Sequence, residues 1–387
     1  METRVNLDKE LREEHLAKVA GGAHAPLNGI IAYTYNDGVR EPGYEPFGFT
    51  NIGDCIQSLA ARQYFPSVER CIDRDRLGDY AGEPVNMIMN AWYRLWRRNM
   101  VFSPRINPLL VSVHINNTDA MTDEALDYFR RHEPVGCRDA CTVDFLRSKG
   151  IKAYFSGCLT LTLGRTYRVP DDVKREGVYF VDYQFGYDEA IDAELRKVLN
   201  GFRRRRKCYV RSHYYPAGFD FGRRMREAEL LVKEYARAEL VITRNIHCAL
   251  PCLALGTPVI FLAPRYDSRR FSGLIGFFNR IGVDGEGRFV SDIRRGSDGR
   301  IVNPDKHLEY AAYLEKIAAR FGGGTFRGPE EGAEPIVPRR RYSQAERETG
   351  FWRSVFQRRK CGDVRQLLVF GHVVASWRSG RKAGCPN

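Results

Sequence analysis

Two spacings of apolar residues alternate along the 387-residue chain. Short apolar, β-branched runs bounded by Gly, Pro and Asn predict strands at Gly29–Tyr35, Val85–Tyr93, Pro108–Ile115, Pro134–Asp139 and Lys152–Gly157. These runs lack a strict in–out alternation, as strands buried on both faces do. Between them, Cys55–Tyr64, Asp123–Arg131 and Ala140–Lys149 carry apolar residues at helical spacing. The pattern then restarts. Strands are predicted at Gly177–Tyr183, Lys207–His213, Leu240–Arg244, Pro258–Pro264 and Arg288–Ile293, and helices at Glu189–Asn200, Arg223–Ala238, His247–Leu255 and Asp305–Phe321. Strand–helix alternation of this kind builds parallel sheets covered on both sides. The polar, Pro-containing Thr166–Asp172 marks a boundary. The expected fold class is therefore α/β, with two Rossmann-like doubly wound domains facing a cleft, at residues 29–168 and 169–321. Residues 1–28 form an N-terminal extension, and 322–387 a flexible linker and basic tail.

Composition narrows the class. Hydrophobic residues make up 43% and charged residues 28%, which are globular proportions. No apolar run reaches the roughly 18 residues of a spanning helix. The most apolar stretch, Leu240 to Pro264, is broken by Arg244, Asn245 and His247. Met1–Glu14 alternates charges, unlike a secretory signal. A cytoplasmic protein is expected. The net charge of +13 is uneven: from Arg339 to Asn387 twelve Lys/Arg stand against three Asp/Glu, which is +9 and leaves +4 for the rest. A nucleic-acid reading would rest mostly on that tail, so no nucleic-acid partner is expected. Ser343–Lys360 has the composition of a basic amphipathic helix with Phe351, Trp352, Val355 and Phe356 clustered. That is compatible with peripheral contact with an anionic membrane, the alternative being a poorly ordered tail. Arg203–Lys207 reads as a solvated helix end. The ten cysteines include the pairs Cys137/Cys141 and Cys248/Cys252, whose spacing differs from that of zinc knuckles. Reduced, buried thiols and no metal are expected.

Candidate chemistry lies at strand ends. The turn Thr243–His247 joins the carboxyl end of a strand to a helix start, where unpaired N–H groups and the helix dipole suit an anion. Arg244 and His247 add charged donors there, although a local ion pair or a helix cap would explain them too. In Thr50–Asp54 (TNIGD), Gly53 allows close approach to the backbone and Asp54 is suited to act as a base for a hydroxyl. Helix capping is the alternative for that Asp. Arg138 emerges from Val135–Asp139 (VGCRD) toward the cleft, unless it only pairs with Asp139. His114 and His213 each end a predicted strand, where ordinary polar termini are also common.

Three blocks in this order resemble the polysaccharide pyruvyl transferase family: NIGDCIQSLAARQYFP, EPVGCRDACTVDFLRSKGIKAYFSGCLTLTL and LVITRNIHCALPCLALGTPVIF. The resemblance runs from about Tyr33 to about Phe321. It implies a B-type glycosyltransferase-like fold, with an acceptor-side first domain and a donor-side second one. It implies phosphoenolpyruvate as co-substrate, with no other cofactor, and a hydroxyl pair on a glycan or lipid-linked saccharide as acceptor. The product would be a pyruvate ketal, with release of phosphate. By the same resemblance His247 contacts the donor and acts as acid, Arg138 binds the donor, and Asp54 lies near the acceptor. Asn51, Gly53, His114, His213, Arg244 and Asn245 complete the candidate substrate-binding set. Asn245 stands where the family's Arg is usual, and Arg244 one place earlier. Either Arg244 reaches back to the phosphate or activity is altered. Gly157–Cys158 replaces the Gly-Asp of many relatives. The competing readings are a nucleotide-sugar glycosyltransferase of the same architecture and an inactive binding relative.

Overall fold

In the first half of the chain the elements are α1 (Glu2–Ala20), β1 (Leu27–Ala32), β2 (Phe49–Asn51), α2 (Gly53–Arg62), β3 (Arg70–Asp73), β4 (Val85–Ile88), β5 (Trp92–Tyr93), β6 (Ile106–Leu109), β7 (His114–Ile115), α3 (Asp123–Arg131), β8 (Val135–Cys137), α4 (Ala140–Ser148), β9 (Ala153–Phe155) and α5 (Gly164–Tyr167). They come from a computed structural model that describes residues 2–20, 24–33, 49–93, 100–116, 118, 121–183, 185–186, 188–200, 207–216, 219–264, 268–324, 356–361, 364–369 and 372–378. The first sheet is parallel throughout, in the order β3-β1-β4-β6. Thr122 and Asp139 cap α3 and α4 through their side chains, as expected of an N-cap Thr and Asp. The expected strands Val85–Tyr93 and Pro108–Ile115 are each split in two. Ser112 takes a φ of 58°, which no extended strand tolerates, and the buried Asn90 turns its side-chain N–H to the Gln57 carbonyl at 2.8 Å.

The second half contributes β10 (Val178–Val181), α6 (Glu189–Val198), β11 (Cys208–Arg211), β12 (Tyr214–Pro216), α7 (Phe221–Arg237), β13 (Leu240–Thr243), α8 (Ile246–Ala254), β14 (Val259–Ala263), α9 (Ser268–Phe271), β15 (Asn279–Val283), β16 (Phe289–Asp292) and α10 (Leu308–Gly322). Its sheet runs β11-β10-β13-β14-β15-β16, parallel except for the antiparallel edge strand β16. The molecule is thus α/β with parallel sheets. Strand order reverses between β10 and β13, and such switch points open a crevice beyond the carboxyl ends of the strands. Residues 246 to 253 of α8 are all buried, because this helix packs on β13 and β14 and also against α2 and α7. An apolar helix with no polar face fits only such a position, each fully buried Leu being worth about 1.5–3 kcal/mol.

Two features knit the halves together. β12 pairs antiparallel with β2, Tyr214 opposite Asn51, and the Ile52 N–H donates to the His213 carbonyl at 2.8 Å. In addition, α10 packs on α1 and on the 3-10 turn Leu159–Thr162. The tail corrects one expectation. Its strands β17 (Phe356–Cys361), β18 (Val364–Val369) and β19 (His372–Arg378) form an antiparallel sheet, so the helix expected over Ser343–Lys360 is not formed at its carboxyl end. Phe356 pairs with Val369 and Cys361 with Val364, and the β-branched, apolar runs of β18 and β19 suit strands better than a helix. Residues 343–355 and 201–206 lie outside the described residues. No helix among the described residues is long and apolar enough to cross a membrane.

Candidate active site

The β2–α2 turn closes on itself: Asn51 Oδ1 accepts the Gly53 N–H at 2.9 Å. A Cβ at Gly53 would lie 2.9 Å from both Asn51 Oδ1 and His213 Nδ1, and 3.3 Å from the His247 Cβ. Glycine is required here by crowding rather than by φ. Asp54 sits in the first turn of α2, whose N-cap is Ile52, so it is not the capping residue. Asp54 Oδ1 accepts from Gln57 Nε2 at 3.2 Å and lies 4.0 Å from His247 Nδ1.

Arg138 follows β8, its backbone N–H held by the Val113 carbonyl at 2.9 Å. Its side chain is only 2% exposed. Nη1 meets His247 Nε2 at 3.4 Å, while Nε has no hydrogen-bond partner. The neighbouring Asp139 is occupied elsewhere. Its Oδ2 is 2.5 Å from His114 Nδ1, and its Oδ1 accepts the Thr142 N–H at 2.9 Å. His114 is fully buried, and its Nε2 is also without a partner. Burial first, then the Arg138 charge, pushes His114 down to about 4 against the pull of Asp139. Burial likewise lowers Arg138 from its ordinary value. His247 is held well below the usual histidine range by burial, then by Arg138, Arg270, His213 and His114. With Arg138 donating to Nε2, neutral His247 carries its proton on Nδ1, toward Asp54.

In the turn into α8, the Asn245 side-chain N–H donates to Asp182 Oδ2 and the side chain does not cap the helix. Asp182, at the end of β10 with a φ of 52°, also accepts the Ser212 hydroxyl at 2.5 Å and the His213 N–H at 2.9 Å. The Asn245 side chain turns its NH2 toward that carboxylate, and its oxygen, the atom that would accept a helix N–H, makes no cap hydrogen bond. The Arg244 guanidinium lies within electrostatic reach of Tyr183 and Tyr214. His213 Nε2 meets the Tyr235 hydroxyl at 3.0 Å. Burial works to lower His213, but the Cys248 thiol and the charges of Asp182 and Asp54 outweigh it and raise it.

Residues 78–266 match the family model described as polysaccharide pyruvyl transferase. The resemblance read from the sequence is thereby shown over that stretch. No curated protein matches the chain. Among solved structures, the chain is similar to a functionally uncharacterised protein from Klebsiella pneumoniae subsp. pneumoniae NTUH-K2044. The identity is 13% and the TM-score 0.38, over 70% of this chain and 94% of that one.

The fold thus gathers Gly53, Asp54, Arg138, His213 and His247, with His114 joined through Asp139 and within electrostatic reach of Arg138. Sequence reasoning missed Asp139 as the partner of His114, Asp182 as the partner of Asn245, and Arg270. The last of these, on the exposed side of α9, lies within electrostatic reach of His114, Arg138 and His247. An acidic residue ending a buried strand (FVD) was the available signal for Asp182. Among the described residues no group of three or more His, Cys, Asp or Glu side chains is placed to hold a metal ion. Of the eight cysteines between Cys55 and Cys252, six are buried, and all eight are free.

Proposed function

We propose that the protein transfers pyruvate from phosphoenolpyruvate to a hydroxyl pair of a hexose in a surface glycan or its lipid-linked precursor. The reaction forms a cyclic ketal and releases phosphate. The observation that carries this reading is the contact of buried Arg138, with its unpartnered Nε, with His247 at the start of α8. A buried guanidinium without a full complement of acceptors is a place where an anion is favourable. The first N–H groups of α8 add to it.

The chemistry follows from charge. An empty site keeps His247 neutral, because burial and neighbouring cations oppose a further positive charge. A bound dianion reverses that balance and raises His247 toward the range of a useful acid. Protonation of the donor methylene then makes its central carbon electrophilic. One sugar hydroxyl attacks as phosphate departs, and the second closes the ketal. Of the two hydroxyl protons, one replaces the proton given to the methylene and the other leaves with phosphate. Asp54, 4.0 Å from His247, is the group we assign to receive a hydroxyl proton.

The two parallel sheets support two Rossmann-like domains of the B-type glycosyltransferase kind, acceptor side at 29–168 and donor side at 169–321. Residence in the cytoplasm, with membrane contact through the basic tail, belongs to the same reading. Deleting residues after Pro338 should then weaken binding to anionic vesicles. The test of the function is purified protein with phosphoenolpyruvate and a panel of saccharides, with phosphate release as readout. Release that requires both substrates is expected. Release without acceptor, or stabilisation by nucleotide diphosphates but not by phosphoenolpyruvate, overturns it.

A further inference from the structure

The carboxylates nearest Arg138 and His247 are already engaged. Asp139 is committed to His114 and Thr142, and Asp54 already accepts from Gln57. A further cation is delivered by α9. Its carboxyl end is stapled to the start of α4: the Ala140 N–H donates to the Ser272 carbonyl at 3.1 Å and the Cys141 N–H to Ser272 Oγ at 3.0 Å. Phe271 packs edge-on against Phe261 with ring centroids 5.2 Å apart. The chain leaves through Gly273 at a φ of 81°, where a Cβ would stand 2.7 Å from the Phe155 ring. Only glycine permits that exit. The staple therefore fixes Arg270, two residues before Ser272, beside the turn that carries Arg138 and Asp139. Its charge is felt at His114, Arg138, His247 and Tyr214, on both sides of the site.

We infer that Arg270 is a further substrate-binding residue, which takes the phosphate of a small phosphorylated organic acid from the solvent side while Arg138 holds the anion from within. The inference rests on the reading of this site as a phosphoenolpyruvate site, and it adds a residue outside the 78–266 family match. Burial and exposure divide the work. Arg138, shut away from water, fixes where the anion sits. Arg270, on the exposed side, draws the anion in through a field that salt screens. It also supplies a cation where Asn245 is spent on Asp182.

Calorimetric titration of the full chain with phosphoenolpyruvate and with inorganic phosphate, at low and high salt, tests this. Arg270→Ala should weaken both ligands by about tenfold and flatten the salt dependence. Arg270→Lys should restore most of the affinity, and Arg269→Ala, on the same helix, should stay within about twofold of the parent. Unchanged binding by Arg270→Ala overturns the inference alone, as does an equal loss in Arg269→Ala. A parent that binds neither ligand overturns the phosphoenolpyruvate reading itself and the inference with it.

Discussion

Two helix starts meet at the candidate site, and they are finished in opposite ways. The first turn of α4 is filled: Ala140 and Cys141 donate to Ser272 and Thr142 to Asp139. The first turn of α8 has no side-chain cap, although Asn245 is a residue type that usually provides one. Its amide goes to Asp182 across the strand-order switch. A capping residue type therefore caps only where the side-chain orientation set by its other partners lets its oxygen reach the helix N–H groups. One helix start is closed by side-chain and backbone acceptors, and the other has no side-chain cap and carries His247, which meets a buried guanidinium whose Nε lacks a partner.

The largest test of that contrast is Arg138→Met. If α8 and Arg138 jointly hold the donor, kcat/KM for phosphate release should fall about a thousandfold, on the order of 4 kcal/mol. Urea unfolding should change little, because a buried cation is replaced by an apolar chain of similar size. Retained activity would break the comparison at its functional end. Next in size is Asp139→Ala, which removes a cap and leaves His114 Nδ1 buried without a partner. A loss of about 3 kcal/mol is expected in urea unfolding, against about 1 kcal/mol for Asn245→Ala. Equal losses would mean that the two starts are not finished differently after all.

Gly53→Ala comes third. The added methyl must displace Asn51, His213 or His247, at a cost of about 2 kcal/mol and with a raised KM. Normal kinetics would show that the α2 start is not packed against the site. The smallest effect is a pH slope. His114 lies near 4 in the folded protein, below its unfolded value near 6.5, so it binds fewer protons folded than unfolded in between. Its contribution is complete above about pH 6.5 and is lost as pH falls toward 4, with a slope of at most about 1.4 kcal/mol per pH unit. His114→Phe should flatten the stability profile across that window, and an unchanged slope would remove His114 as its source.

Much of the architecture was legible because periodicity reports burial directly. Asp123–Arg131 matches its predicted helix, and β13, β14 and α8 fall within about a residue of expectation, since LVIT, VIFLA and the apolar α8 run admit few other placements. Elements with weaker patterns were missed. β3, β12 and β15 were not foreseen, nor was the helical α1, whose charged face hides the residues that pack on α10. The split of Val85–Tyr93 was equally invisible, because it depends on Asn90 finding the Gln57 carbonyl from another element.

The site shows the same division. Sequence by itself determined which residue types stand at strand ends and helix starts, including Gly53, Asp54, Arg138 and His247, because chain order fixes where strands stop and helices begin. It could not determine partners. Whether Asn245 caps or binds Asp182, and whether Asp139 serves Arg138 or His114, is settled by distances between segments far apart in the chain. Those distances come from sheet order and helix packing. Hydrogen bonds and charges act over a few ångströms of space rather than along the chain, so only the tertiary structure chose among the pairings that the sequence allowed.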